Sequence, residues 1–432
     1  MKTTMKILSV VGARPNFMKV AAICEAIKEF NVSAERQTIA HVLVHTGQHY
    51  DANMSDFFFN DLDLPQPDLF LGVGSASHSI QTARIMERFE TVILRERPDV
   101  VIVVGDVNST LACALVTKKV VSPFASNGET FIPKLAHVEA GLRSFDRSMP
   151  EEINRIVTDA VSDFLFTTEG SANDNLLREG IAPEKVRFVG NVMIDTLLRY
   201  RSKAEQSTIL PDLQLLQGTG RVKPYAVLTL HRPANVDDKE AFWKILQALL
   251  EITRHIPVIF PAHPRTIKMI QQWDLGDFFI DHSVDGPEPW DSRIRIRLSP
   301  PLGYLDFLQL MACARVVLTD SGGIQEETTI LNVPCITLRD NTERPVTVET
   351  GTNVLVGSDP QLMLEEFRKV LDGEKKRGRI PTYWDGKAGQ RIVRSLAETC
   401  LGEPSRENHL VRPSGSEPRG VRSACAGSED PG

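Results

Sequence analysis

The sequence contains a turn with the chemistry of an anion site. Residues 319–331 read TDSGGIQEETTIL, and Ser321, Gly322 and Gly323 stand between a short apolar run, 314–318, and a segment long enough for about two helical turns. The apolar, β-branched run predicts a buried strand. Unpaired backbone N–H groups at a helix start, backed by the helix dipole, bind phosphate groups. We therefore predict that this turn binds an anion.

Carboxylates follow other predicted strands. Asp106 ends the run DVVIVVGD, Glu139 ends KLAHVE, and Glu151 opens a predicted helix in SMPEEINR. A carboxylate that leaves a buried strand and enters a cleft is a candidate proton acceptor. Each residue also has a plainer explanation: Asp106 could cap the following helix, Glu139 could form a buried salt bridge with Arg143, and Glu151 could complement a helix dipole.

Cations and histidines complete the set of candidates. Arg14 and Lys19 flank the first turn of a predicted helix in GARPNFMK, where two cations could clamp a diphosphate. His231 and His263 each follow a predicted strand of the second half, and we expect both to contact the substrate as proton or phosphate partners. Glu327 lies one turn behind the Ser-Gly-Gly turn. It could accept hydrogen bonds from a ribose diol, or it could be a solvated helix charge.

The elements that must position these residues alternate regularly. Short β-branched runs and amphipathic helices succeed one another, which predicts parallel sheets covered on both faces. The pattern loosens across 203–223 and then restarts. We predict an α/β protein with two doubly wound, Rossmann-like domains, 1–205 and 206–385, facing each other across a cleft. A last helix within 386–402 is expected to cross back to the first domain, and the Pro- and Ser-rich tail 403–432 is expected to be disordered.

Bulk composition excludes several classes of protein. The formal net charge is −7, which argues against a nucleic-acid surface. No stretch approaches the ~18 apolar residues of a membrane span. The six cysteines are scattered, which predicts free thiols in the cytoplasm and neither disulfides nor a zinc site. The segment GVGSAS (72–77) lacks the third glycine of a dinucleotide fingerprint. We expect no metal and no cofactor.

Eight motifs together carry a family resemblance. In order they are GARPNFMK, HTGQHYD, GDVNSTLA, HVEAGLRS, MPEEINR, TLHRPAN, LTDSGGIQEE and RDNTERPVTV. In order and spacing they resemble the non-hydrolysing UDP-N-acetylglucosamine 2-epimerases, from about residue 5 to residue 400. The resemblance implies a glycosyltransferase-B type of fold, a homodimer, and UDP bound mainly by the second domain.

The resemblance also implies residue roles. The diphosphate and ribose would contact residues of both domains: Arg14, Lys19, His231, Ser321, Gly322, Gly323, Glu327 and Arg344. The candidate catalytic residues are Asp106, Glu139, Glu151 and His231. The three carboxylates among them are the candidates for proton transfer at C2 of the sugar.

The implied reaction agrees with the chemistry of these residues. The C2 proton of UDP-N-acetylglucosamine is not next to a carbonyl, so direct deprotonation is costly. Loss of that proton together with UDP gives a 2-acetamidoglucal, and re-addition on the opposite face yields UDP-N-acetylmannosamine. This route needs carboxylates near C2 and cations or N–H groups at the departing diphosphate.

Other functions stay open at this point. Some motifs are also close to relatives that epimerise UDP-2,3-diacetamido-glucuronic acid, although those relatives typically lack the pair seen here as Arg344-Pro345. A glycosyltransferase of the same fold would need an acceptor cleft, and a silent nucleotide-sugar sensor would not need the carboxylates. Asn16 and Tyr50 depart from the pattern of members that their own substrate activates, so the resemblance does not carry that activation over. The segment 121–133 is longer than usual.

Overall fold

The computed structural model describes residues 4–34, 37–48, 61–120, 132–281, 296–374 and 376–402. The helix predicted near 52–60, Tyr50, most of the long segment 121–133 and the tail 403–432 lie outside the described residues. None of the described helices is both long and apolar enough to cross a bilayer.

The first lobe is built on a parallel sheet of seven strands. The strands are β1 (Thr4–Val11), β2 (Thr38–His45), β3 (Leu69–Phe70), β4 (Val100–Val104), β5 (Lys134–Ala140), β6 (Phe164–Thr167) and β7 (Val186–Phe188). Their spatial order is β3-β2-β1-β4-β5-β6-β7. Every residue of β4 is buried, as expected of a Val- and Ile-rich strand with helices on both faces.

Within the described residues of this lobe, the helices that follow its strands are α1 (Arg14–Ser33), α2 (His78–Glu96), α3 (Asn108–Lys119), α4 (Pro150–Val161), α5 (Gly170–Arg178) and α6 (Val192–Ala204). Pro15 and Pro150 fall in the first turns of α1 and α4, where the missing N–H of proline costs nothing. Because each helix follows a strand, the helix N-termini and the strand ends meet at one edge of the sheet.

A second parallel sheet of seven strands forms the other lobe. Its strands are β8 (Ala226–Thr229), β9 (Val258–Pro261), β10 (Phe279–Asp281), β11 (Ile296–Ser299), β12 (Val316–Thr319), β13 (Cys335–Thr337) and β14 (Asn353–Leu355). Their order is β10-β11-β9-β8-β12-β13-β14. The helices are α7 (Ile209–Asp212), α8 (Pro233–Val236), α9 (Lys239–Thr253), α10 (Pro264–Gln272), α11 (Tyr304–Ala312), α12 (Gly322–Leu331), α13 (Pro345–Glu349) and α14 (Pro360–Leu371). The predicted pair of Rossmann-like domains is confirmed.

The last helix, α15 (Ala388–Leu401), packs against α1 of the first lobe. A Cβ at Gly389 would lie only 2.6 Å from the Ala22 carbonyl oxygen, so glycine permits this close approach. The Gly389 N–H donates to Asp195 Oδ2 at 2.7 Å, and Trp384 Nε1 donates to the Thr168 carbonyl at 2.9 Å. The chain therefore returns to the first lobe. We keep residues 205 and 385 as proposed limits of the domains.

Candidate active site

Glu139 occupies an irregular position at the end of β5. The pairing of β5 with β6 shifts register between Val138 and Ala140, and Glu139 has a φ of +72°. A positive φ is uncommon for a residue other than glycine, and such strain at a strand end commonly marks a functional position. The side chain is nonetheless buried, with only 5% of its surface exposed. A carboxylate in this environment needs partners.

Those partners come from both lobes. Glu139 forms ion pairs with Lys19 of α1 and with Arg344, the residue that precedes α13 in the second lobe. The alternative pairing with Arg143 is wrong, because Arg143 Nη2 contacts Asp159 at 2.8 Å and Glu179 at 2.7 Å instead. The predicted carboxylate and the predicted phosphate-side arginine therefore meet directly across the cleft.

Arg344 holds three carboxylates at once. Besides Glu139, its Nη1 lies 2.7 Å from Glu343 Oε1 and its Nε lies 2.8 Å from Glu326 Oε1. Burial lowers the pKa of the guanidinium, but the three carboxylates outweigh this effect and raise the pKa above its usual value. Arg344 therefore stays charged. Burial also raises the pKa of Glu343, and Arg344 and Arg339 more than offset this, so the Glu343 pKa lies well below its usual range.

The Ser-Gly-Gly turn adjoins this arginine. Ser321 is the N-cap residue of α12, yet its side chain makes no capping hydrogen bond. A Cβ at Gly322 would lie 2.5 Å from Glu343 Oε1 and 2.7 Å from Arg344 Nη1. At Gly323 the nearest atom to such a Cβ would be Met193 Cε at 3.0 Å. The start of α12 therefore presents backbone N–H groups beside a buried guanidinium, which is the arrangement that an anion requires.

Substituting Gly322→Ala is expected to raise the dissociation constant for UDP at least about tenfold, because the new methyl group displaces Glu343 or Arg344. Isothermal titration with UDP measures the effect. Gly170→Ala is the matched control, since Gly170 also opens a helix and a Cβ there would meet no atom within 4 Å. Unchanged UDP affinity in Gly322→Ala would place the nucleotide elsewhere.

Asp106 is not a helix cap. The N-cap of α3 is Val107, and Asp106 forms an ion pair with Arg155 of α4. Arg155 is held in turn by Glu152, whose Oε2 lies 2.6 Å from Arg155 Nη2. Removal from water raises the pKa of Asp106, but Arg155, Lys19 and Arg344 outweigh this and lower it below the usual value. The Asp106 side chain keeps 28% of its exposure, so an ionised carboxylate borders the cleft.

Glu151 and Glu152 have different environments although they are neighbours. Glu152 is buried and accepts hydrogen bonds from the Ser144 and Phe145 N–H groups, so it organises the loop before α4. Glu151 is only partly buried in the first turn of α4. Of this pair, Glu151 is therefore the one that a ligand can reach.

His231 stands at the end of β8 with 56% of its side chain exposed. Its Nδ1 lies 2.9 Å from Asp320 Oδ1, and the Arg232 N–H donates to Asp320 Oδ2 at 2.9 Å. Burial raises the pKa of Asp320, but His231 and the N–H groups around it lower that pKa below the usual value. An ionised Asp320 fixes the ring and leaves the opposite ring nitrogen to face a ligand.

The neighbouring Arg232 connects this segment to both lobes. Its Nη2 lies 3.7 Å from Glu343 Oε1, and its Nη1 lies 3.7 Å from the sulfur of Met149, the residue just before α4. The His231 segment, the Arg344 cluster and the start of α4 therefore border one space.

The other predicted substrate residues are placed as follows. His263 is the N-cap of α10, where its Nδ1 accepts a bond from the Arg265 N–H at 3.2 Å. Glu327 is 3% exposed and accepts a bond from the Tyr304 hydroxyl at 3.2 Å, so it is not a solvated charge. Arg14 opens α1, and its side chain lies outside the described part of the chain.

Asn16, one of the departures from the family pattern, is buried at the start of α1. Its Oδ1 accepts the Gly12 and Ala13 N–H groups at 3.2 and 3.0 Å, and its Nδ2 donates to the Val104 carbonyl at 2.9 Å. The amide thus ties the ends of β1 and β4 together and shapes the floor of the cleft. A glutamate has no N–H to donate to that carbonyl.

Two buried glutamates near Arg344 are not among the predicted site residues. Glu326 has no exposed surface and lies beside the guanidinium. Glu169 follows β6 and is 2% exposed, and the Ser171 hydroxyl donates to its Oε1 at 2.6 Å. Burial raises the pKa of Glu169 to about 7. The rule used for Glu139, a carboxylate directly after a strand, would also have found Glu169.

The raised pKa of Glu169 predicts a pH-dependent cost to folding. The unfolded chain ionises this residue near pH 4 and the folded chain near pH 7, so stability falls as pH rises through that window. Glu169→Gln is therefore expected to stabilise the protein at pH 8 by about 3 kcal/mol and to have little effect at pH 4. Chemical denaturation at both pH values measures this. An equal change at both would contradict the assignment.

The sequence of this chain is similar to those of several known proteins. The chain matches the sequence model of the UDP-N-acetylglucosamine 2-epimerase family over residues 32–397. It is 41% identical over 403 residues to UDP-N-acetylglucosamine 2-epimerase of Methanocaldococcus jannaschii, an alignment that covers 91% of this chain and 99% of the relative. It is 39% identical over 397 residues to UDP-2,3-diacetamido-2,3-dideoxy-D-glucuronate 2-epimerase of Pseudomonas aeruginosa, covering 91% and 100%.

Solved structures are similar as well. The crystal structure of the Methanocaldococcus jannaschii UDP-GlcNAc 2-epimerase in complex with UDP-GlcNAc and UDP has a TM-score of 0.77 at 41% identity, covering 91% of this chain and 99% of that one. The UDP-GlcNAc 2-epimerase from Neisseria meningitidis bound to UDP-GlcNAc has a TM-score of 0.74 at 29% identity, covering 91% and 100%.

Proposed function

The chain belongs to the UDP-N-acetylglucosamine 2-epimerase family, and from this premise we propose that it reversibly converts UDP-N-acetylglucosamine to UDP-N-acetylmannosamine. The family predicted from the eight sequence motifs is thereby confirmed, and the protein is an epimerase. The observation that carries the proposal is the contact between Glu139 of the first lobe and Arg344, which lies beside the Ser-Gly-Gly turn of the second.

The first half of the reaction breaks two bonds. A carboxylate removes the proton from C2, the electron pair forms the C1–C2 double bond, and the bond from C1 to the diphosphate oxygen breaks. UDP and 2-acetamidoglucal result. Asp106, Glu139 and Glu151 are the proposed carboxylates, since they converge from the ends of β4 and β5 and from the start of α4. The C2 hydrogen moves as a proton, so this route uses no redox cofactor.

Groups of the second lobe stabilise the negative charge that develops on the departing diphosphate. The guanidinium of Arg344 and the N–H groups at the start of α12 stand where they can stabilise that charge. His231 is oriented by buried Asp320 and is exposed enough to contact a phosphate oxygen. Lys19 and Arg14 are the proposed partners of the same anion in the first lobe. Glu327 is the proposed partner of the ribose.

The second half reverses these steps on the other face of C2. UDP re-adds at C1, and C2 receives a proton from the side opposite to the one that lost it. Inversion therefore needs an acid and a base on opposite faces of the sugar. Carboxylates that come from α4 and from the strand ends can flank a sugar between them.

A second substrate is favoured by one specific observation. The relative named UDP-2,3-diacetamido-2,3-dideoxy-D-glucuronate 2-epimerase is 39% identical along nearly its whole length. The same elimination applies to that sugar, because C1 and C2 carry the same groups. We rank it second because the motif resemblance associates the pair Arg344-Pro345 with the N-acetylglucosamine substrate, and Arg344 is the centre of the buried ion-pair cluster.

Parallel assays separate the two substrates. Purified protein is incubated with each UDP-sugar, and the anomeric NMR signals of the gluco and manno forms are followed to equilibrium. We expect kcat/KM to be higher for UDP-N-acetylglucosamine, and the uronic acid to be the slower substrate. A reversed order would assign the uronic acid, and inversion of neither sugar would overturn the proposal.

Two further properties of the protein stay proposals. The family resemblance implies a homodimer, which light scattering coupled to size-exclusion chromatography tests. A cytoplasmic location stays an inference from the scattered cysteines, five of which are free thiols in the described part of the chain.

A further inference from the structure

Glu326 belongs to the Arg344 cluster, and the mechanism above gives it no role. It lies in α12, four residues behind Gly322, and has no exposed surface. Its Oε2 has no hydrogen-bond partner among the described residues. A buried carboxyl group with an unpartnered oxygen costs stability, so packing alone does not account for a glutamate here.

The other oxygen of Glu326 is tightly placed. Oε1 accepts a hydrogen bond from Asn191 Nδ2 at 2.9 Å and lies 2.8 Å from Arg344 Nε. Asn191 belongs to the first lobe, where its own Oδ1 caps α6 by accepting the Met193 N–H at 2.9 Å. One oxygen of the second lobe therefore links a fixed amide of the first lobe to the arginine of the cleft.

The planar shape of a guanidinium gives this contact a consequence. Nε makes no hydrogen bond within the described residues, but its close ion pair with Glu326 fixes that edge of the plane and so restricts the directions of both outer nitrogens. In Arg344 one outer nitrogen contacts Glu139, and the other contacts Glu343 beside Gly322. Oε1 of Glu326 thus orients the Arg344 guanidinium, which faces the proposed sugar site on one side and the proposed diphosphate site on the other.

We propose that Glu326 is a positioning residue for the epimerisation: its Oε1, held by Asn191, aligns Arg344 between Glu139 and the departing diphosphate. The inference rests on the proposed function. The alignment forms only when the lobes are together, because Asn191 and Glu326 come from different lobes.

The protonation state of Glu326 indicates which substitution is conservative. Burial raises its pKa most, Glu139 and Glu169 add to this, and Arg344 and Lys19 lower it, so that the pKa is about 8 overall. Burial therefore favours the neutral form, whose carbonyl oxygen is an acceptor of the same kind as the amide oxygen of glutamine. Glutamine offers that same oxygen to Asn191 and Arg344, whereas leucine offers a similar volume without it.

Two variants test the proposal at pH 7. Glu326→Leu is expected to lower kcat by up to about 100-fold with a much smaller change in KM, as misalignment of a group near the chemistry does. Its melting temperature is expected to fall somewhat, because Asn191 Nδ2 and Arg344 Nε lose a shared acceptor in a buried site. Glu326→Gln is expected to restore kcat to within about threefold of the wild type. Glu179→Gln, which removes an ion pair with Arg143 instead of a contact with Arg344, is the control.

A third variant tests the link to the first lobe. Serine can still cap α6 but is too short to reach Glu326, so Asn191→Ser should lower kcat less than Glu326→Leu does. In the Glu326→Leu background it should lower kcat no further.

Several results would overturn the proposal. One is kcat retained in Glu326→Leu, and another is a rise in KM as large as the fall in kcat. A Gln variant as poor as the Leu variant, or additive effects of the Asn191 change, would do the same. Failure of the proposed function is distinct, because the wild-type protein would then invert neither UDP-sugar.

Discussion

Glu139→Gln is expected to lower the rate of C2 epimerisation by about 10²-fold to 10⁴-fold, the range that loss of a positioned acid or base produces. The amide keeps the shape of the side chain but cannot accept the C2 proton. It also leaves Lys19 and Arg344 without the carboxylate that both now contact. Exchange of the C2 hydrogen with D2O, followed by NMR, measures the rate.

UDP binding should change little in this variant. Within the described residues Glu139 does not contact the Ser-Gly-Gly turn or His231, and Lys19 and Arg344 keep their charges in the variant. Titration with UDP should therefore give a dissociation constant within about fivefold of the wild type. Glu179→Gln is again the matched control, because it removes a glutamate that pairs with an arginine outside the cleft. Exchange that persists at the wild-type rate in Glu139→Gln would show that another carboxylate moves the proton.

Arg344→Lys is expected to lower kcat by about 10³-fold, comparable to removing a donor that stabilises developing oxyanion charge. Lysine keeps the positive charge but cannot contact Glu139, Glu326 and Glu343 at once, because an ammonium lacks the planar fork. Arg254→Lys is the control, since that arginine pairs with Glu251 on an exposed surface of the same lobe. Steady-state kinetics on both variants decide the point.

Removing the charge at this position should also destabilise the fold. Arg344→Leu leaves three buried carboxylates without their common cation, and loss of one partner of a buried ion pair typically costs about 3–5 kcal/mol. We expect part of that cost to be avoided at lower pH, where the carboxylates protonate. Denaturant titration at pH 5 and pH 8 measures it. A kcat near that of the wild type in Arg344→Lys would remove this arginine from the mechanism.

The strands were predictable because their physics is local. Runs such as 100–104 are β-branched, uniformly apolar and bounded by turn residues, and these features specify a strand covered on both faces without reference to the rest of the chain. The anion turn at residues 321–323 was predictable for the same reason, since glycines at a strand-to-helix junction expose backbone N–H groups.

Partnerships between side chains were not predictable in this way. Glu139 and Arg344 are separated by 205 positions, and only the folding of both lobes brings them together. Arg143 is the nearer arginine in sequence and therefore the obvious candidate, but it contacts Asp159. Nothing local signals the positive φ of Glu139, because the register shift in β5 arises from pairing with β6.

Local sequence patterns also did not predict which charged side chains are buried. Glu326 and Glu327 lie in a helix that could have been solvated, yet both are buried because the first lobe and α11 pack against α12. His137, close to Glu139 in sequence, is likewise buried, and its Nδ1 lies 2.6 Å from Asp159 Oδ1. It supports the sheet end and does not face the cleft.

Positional isotope exchange tests the central claim, departure of UDP from C1, most directly. UDP-N-acetylglucosamine is labelled with ¹⁸O at the oxygen between C1 and the β-phosphorus, and ³¹P NMR follows the label during epimerisation. The account predicts that the label spreads to the non-bridging β-phosphate oxygens as the two epimers interconvert. Inversion at C2 with the label still wholly in the bridge would contradict it.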